Sequence, residues 1–169
     1  GEELGLLGSG HFVKALAQAA TGSDPGLHPC IGAYLNMDMI GRLRDKLVLY
    51  GLGSSPAWAG LIERHNAPLA LPVVVQEDSF LPTDATSFAL HKVPVLSAFT
   101  GLHDAYNTPR DTADSLDYPG ACRVAKLLGH IASDLAARDR VPEYRPPKKK
   151  PPRSMQGHGG RVYLGTVPD

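Results

Sequence analysis

The chain has no apolar run approaching the roughly 20 residues that cross a bilayer. It has no excess of charge either, because Lys+Arg and Asp+Glu both number 17. Without a global field it lacks the footprint of a nucleic-acid binder or of a protein drawn to anionic membrane. Cysteine is scarce: Cys30 and Cys122 stand alone, at no spacing that suits zinc ligation. They can pair or remain buried thiols, and spacing does not choose between the two. No segment repeats, no signal peptide is visible, and no Met opens the chain. It begins Gly-Glu-Glu and runs straight into an apolar segment, which reads as a cut through a longer protein. What is present is ordinary: 169 residues, 43% hydrophobic and 20% charged, suffice for one domain with a real core.

Periodicity divides that domain into alternating elements. Ser9 is placed to cap a helix over 10–20, where Phe12, Leu16 and Ala19 share a face. Residues 31–37 and 46–50 read as strands, and a helix over 56–66 turns Trp58, Leu61 and Ile62 inward, with Glu63, Arg64 and His65 outward. A β-branched run covers 71–75. Thr83 or Asp84 can cap a helix to about residue 91, and 93–99 is a buried strand. The clearest helix runs from 119 to 138, with Val124, Leu127, Leu128, Ile131 and Leu135 at helical spacing. Strands alternating with helices predict a three-layer α/β/α sandwich around a mostly parallel sheet. Chemistry in such sheets gathers at the carboxyl ends of the strands.

Composition changes after Val141. Residues 142–153 hold five prolines, three lysines and two arginines, a mixture that cannot build a core and predicts an extended linker. The expected organisation is therefore a domain over 1–141, a linker over 142–156 and the start of another domain over 157–169.

Three polar clusters sit where strands are expected to end. Glu2 and Glu3 precede a Gly-rich turn, which lets backbone pass close to a ligand. One such carboxylate can hold a metal while its neighbour acts as general base; a solvated surface pair is the plainer alternative. Asp38 is a single acid in an otherwise apolar strand end, so it needs a partner, either Arg42 or a divalent metal. Residues 101–112 (GLHDAYNTPRDT) pack His103, Tyr106, Asn107 and two aspartates into a loop after a buried strand. There Tyr106 can be a core tyrosine or an oxyanion donor. The alternative for the loop is a turn in which Asn107 and Asp111 bond nearby backbone. His91 and His130 read as ordinary helix residues.

Together these segments resemble metallopeptidase family 28, the aminopeptidases with two co-catalytic zinc ions. The matching stretches are 1–9 (GEELGLLGS), 34–41 (YLNMDMIG), 82–88 (PTDATSF), 93–101 (VPVLSAFTG) and 106–112 (YNTPRDT), in the family's order. The tail 160–169 (GRVYLGTVPD) resembles the entry into the PDZ domain that follows the peptidase in one bacterial subgroup. The resemblance implies that Glu2 is the general base, that Glu3 binds one zinc and Asp38 the other, and that Tyr106 lies near the substrate carbonyl. It implies a peptide substrate and a secreted or periplasmic setting. It also implies a His and a bridging Asp from an upstream region that this chain does not contain.

One position departs from the pattern. The family's Tyr-His-Thr-Pro reads Tyr106-Asn107-Thr108-Pro109 here, and an amide oxygen is a much poorer zinc ligand than imidazole. His103 is near enough in sequence to be considered as a substitute. Two functions follow: an aminopeptidase, or a peptidase-fold binding or scaffold module impaired at Asn107. An unrelated α/β binding domain is a third, opposed by the ordered run of motifs.

Overall fold

The computed structural model describes residues 2–21 and 26–148. The suggested beginning of a further domain, 157–169, lies outside the described residues. Four strands, β1 (Tyr34–Asp38), β2 (Leu47–Tyr50), β3 (Val73–Gln76) and β4 (Val95–Phe99), form one sheet in the order β1-β4-β2-β3. β1 runs parallel to β4 and β2 parallel to β3, while β2 and β4 are antiparallel. The sheet is thus mixed, with two of its three pairings parallel. Central β4 is buried from Val95 to Ala98, which accounts for a sequence that is apolar but for Ser97.

Four helices, α1 (Leu7–Thr21), α2 (Ala57–Asn66), α3 (Ala85–Leu90) and α4 (Tyr118–Ala136), cover the two faces. Alternation along β4 separates two cores. Leu96 and Ala98 join Leu47, Leu49, Trp58, Leu61 and the α4 residues Val124, Leu127 and Ile131 on one side. Val95 joins Val13, Ala17, Phe88 and Ala89 of α1 and α3 on the other. This is the expected α/β/α sandwich. Asp134 of α4 clasps the first helix pair, accepting from Arg138 at 2.7 Å, His65 at 2.9 Å and Arg64 at 3.0 Å. The hydrogen bond from Arg138, then that from His65, holds its carboxyl down at about 2. His65 is thus half-buried against α4, where a fully outward face was expected.

Fully buried Ser54 ties the elements at one edge of the sheet. Its Oγ accepts from Trp58 Nε1 at 3.0 Å and Val95 N at 2.9 Å, and its own proton serves Gly51 O or Val95 O. Neighbouring Gly51 adopts φ 90°, and a Cβ there would lie 2.3 Å from Val95 O.

Three expectations need correction. Ser9 is not a cap: α1 begins at Leu7, after a left-handed Gly5-Leu6 turn in which both amides bond Glu2 O, and Ser9 Oγ instead meets Ser87 Oγ at 2.8 Å. The cysteines are neither paired nor buried; both are exposed free thiols. Residues 142–148 do have something to cover. Val141 lies on the backbone of Gly32, Pro142 is buried, and Pro142 O accepts from His28 Nε2 at 2.8 Å. Arg145 N donates to Ser54 O at 2.8 Å, and Lys148 reaches Glu77 at 2.9 Å. Burial pushes the Tyr144 phenol up from its ordinary value. A chain ending at 140 should therefore melt about 6 °C below one ending at 148, from lost burial and a lost backbone bond worth about 2 kcal/mol together. Equal melting temperatures by calorimetry would show that this strap contributes nothing.

Candidate active site

Parallel pairing of β1 with β4 sets Asp38 opposite Phe99, so Asp38 and the loop after β4 emerge at the same edge of the sheet. Side-chain alternation puts Asp38 on the face shared by Tyr34 and Asn36. Tyr34 stacks on Phe88 of α3 at 4.0 Å, and Asn36 Nδ2 donates to Ser97 Oγ at 3.1 Å. The α1–α3 side of the sheet is therefore the side toward which Asp38 points. Burial, and secondarily the charge of Asp84, raise the Tyr34 phenol, so this ring stays neutral.

Half-buried Glu2 opens a 3-10 turn, Glu2–Leu4, just ahead of α1 on that same side. Glu3 follows in the turn, its side chain outside what is described. Ser9 and Phe12 fasten the start of α1 to α3, Phe12 lying 6.2 Å from Phe88.

The third cluster is a chain of turns. Tyr106 N donates to His103 O, Thr108 N to Ala105 O and Asp111 N to Thr108 O, at 2.9–3.1 Å. Thr108 Oγ1 locks the middle turn through Ala105 O at 2.8 Å. The loop is thus held by threonine, where Asn107 and Asp111 were the expected backbone partners. Tyr106 is exposed, which leaves no place for it as a core tyrosine. Asn107 is exposed too, in the left-handed region at φ 54°.

Arg42, the alternative partner considered for Asp38, turns to Asp111 and to Ser115 Oγ. The other oxygen of Asp111 faces His103 Nε2 at 3.6 Å, and the imidazole is only 5% exposed. Its Nδ1 is buried with no hydrogen-bond partner. That unpartnered Nδ1 is a ring nitrogen open to a ligand.

Left-handed backbone marks all three clusters. Leu6, Met39 and Asn107 are non-glycine residues at φ 61°, 49° and 54°, each one to four residues from Glu2, Asp38 or Tyr106. Such conformations are costly and collect at functional sites. Sequence carried no sign of Met39 or of the Arg42–Asp111–Ser115 contacts, whose partners are some 70 positions apart.

Among the described residues, no three His, Cys, Asp or Glu side chains gather closely enough to hold a metal ion. The donor chemistry nonetheless suits a divalent metal: a carboxylate at a strand end and a buried imidazole nitrogen without a partner.

The sequence over residues 1–132 matches Peptidase family M28. The chain belongs to that family. Solved structures similar to this M28 chain include the LapA aminopeptidase of Legionella pneumophila, with TM-score 0.65 and 18% identity over 82% of this chain and 38% of that one. BSAP, a zinc aminopeptidase from Bacillus subtilis, gives 0.61 and 19% over 79% of this chain and 33% of its own. An aminopeptidase from Aneurinibacillus sp. strain AM-1 gives 0.60 and 21% over 89% and 34%. At these identities the likeness is one of fold. The M28 chain spans between a third and two fifths of those proteins' lengths. No curated protein matches the sequence. No helix among the described residues is long and apolar enough to cross a membrane.

Proposed function

We propose that this chain is part of a zinc-dependent aminopeptidase that removes N-terminal residues from peptides. The observation that carries the reading is the meeting of Asp38 and the 101–112 loop at one sheet edge, in a chain of the M28 family. Asp38 and Glu3 would hold metal, with further ligands from outside this chain. Zinc, when bound, supplies a Lewis acid for the peptide carbonyl and lowers the pKa of water. Glu2 takes a proton from the attacking water and returns it to the leaving amine. The exposed Tyr106 hydroxyl is free to donate toward the carbonyl oxygen as charge develops there.

A second reading, a peptidase-fold module without turnover, is favoured by Asn107 alone. Zinc content and aminoacyl-nitroanilide hydrolysis decide between the two, measured on the whole protein as wild type and Asn107→His, with His103→Ala in each. The aminopeptidase reading expects measurable hydrolysis in wild type. It also expects one firmly held zinc, with Asn107→His adding tight binding of a second and raising the rate on the order of tenfold. No hydrolysis by either version would leave the binding module standing. Two tight zincs in wild type, one lost on His103→Ala, would overturn the assignment of the weakened ligand to Asn107.

A further inference from the structure

The loop 101–112 has no helix or strand, and its backbone hydrogen bonds close local turns. Arg110 bonds Asp104 O and Thr108 bonds Ala105 O, both inside the loop. Among the described residues, one polar side chain of this loop reaches beyond it: Asp111, on Arg42. We propose that Asp111 is a positioning residue of the site, holding Arg42 with one carboxylate oxygen and His103 with the other. It thereby locks the loop bearing Tyr106 and Asn107 onto the turn that follows Asp38.

Several ties made by the flanking residues converge on that same turn. Thr100 Oγ1 donates to Met39 O, and Asp117 N to Gly41 O at 2.8 Å. Leu116 packs so closely on Gly41 that a Cβ there would lie 2.8 Å from its Cδ2. Arg42 adds Ser115 to Asp111. Residues 39–42, immediately after Asp38, are thus gripped by five residues between Thr100 and Asp117. Exposed ion pairs contribute little, and the Asp111 carboxylate is 37% exposed, but it faces a guanidinium 14% exposed and an imidazole 5% exposed.

The inference rests on the peptidase reading for its purpose, though not for its geometry, so the test has two arms. In the 15N-labelled 169-residue chain, amide hydrogen exchange is compared for wild type, Asp111→Asn, Arg42→Gln and the double variant. Both single variants are expected to speed exchange at Tyr106, Thr108 and Asp111 or its replacement about tenfold, while α2 and α4 stay as they were. The double variant should be no faster than the worse single one, because both remove the same link. Arg42→Lys, which keeps the charge but not the fork, should fall between and serves if a stronger variant fails to fold. Unchanged loop exchange, or effects of the two variants that simply add, would overturn the clamp. In the second arm, run on the whole protein, Asp111→Asn should lower kcat for an aminoacyl-nitroanilide about tenfold with KM within twofold. Loosened exchange with kcat intact would overturn the positioning role. A wild type without hydrolysis would count against the peptidase reading alone, and the exchange arm would still decide the clamp.

Discussion

Glu2→Gln should lower kcat about a thousandfold while leaving KM and zinc content close to wild type. The amide is nearly isosteric with the carboxylate but cannot take a proton, and proton transfer by a positioned side chain contributes roughly 10²–10⁴ in rate. The substitution should not move the residue, because Glu2 is held by its backbone: its carbonyl accepts from both Gly5 N and Leu6 N at 3.0 Å. Glu3→Gln provides the contrast. If its neighbour is the ligand, that change should lower zinc content first and rate in consequence. Parallel measurements of metal content and steady-state rate separate the two. Should Glu2→Gln retain a tenth of the wild-type rate, Glu2 is not the general base.

Gly51→Ala should destabilise the domain by about 4 kcal/mol, lowering the melting temperature by about 10 °C or more. Two costs combine. At φ 90° an L side chain sits in the left-handed region, which by itself costs roughly 1–2 kcal/mol. The added methyl would also stand 2.3 Å from Val95 O, and that carbonyl begins the central strand. Relief requires moving β4 or the turn that carries Ser54, and either movement disturbs the buried bonds to Trp58 Nε1 and Val95 N. The loss should appear in denaturant unfolding as a lower midpoint with unchanged slope. A midpoint within about 1 kcal/mol of wild type would mean that the turn shifts freely.

The parts legible in sequence are those governed by local periodicity. α4 declared itself because Val124, Leu127, Leu128 and Ile131 repeat at helical spacing, and all four are buried. β4 did so by a run that is apolar but for Ser97. Ser9 misled because capping chemistry does not distinguish the first helical turn from the residue before it, and the left-handed Leu6 that actually starts the helix carries no sequence mark. The strap misled through composition: its prolines and lysines suggested a solvated linker, yet Pro142 is buried and Lys148 reaches Glu77. The aspartate at the end of β1 was a visible candidate, with Arg42 or a metal as its alternative partners, but the reach of Arg42 to Asp111 was not visible. Nothing local tells a guanidinium to reach 69 positions along the chain to Asp111. Long-range pairing of that kind follows only once β1 and β4 lie side by side.

Because β2 and β3 run opposite to β1 and β4, the strap touches the approach to β1 at Gly32 and the exits of β2 and β3 at Ser54 and Glu77. All three belong to the border remote from Asp38. A surface, bead or fluorophore tethered just after Lys148 would consequently sit behind the molecule. An immobilised protein would present its Asp38 border outward to whatever flows past, and a bulky carrier on that tether should leave peptide access undiminished.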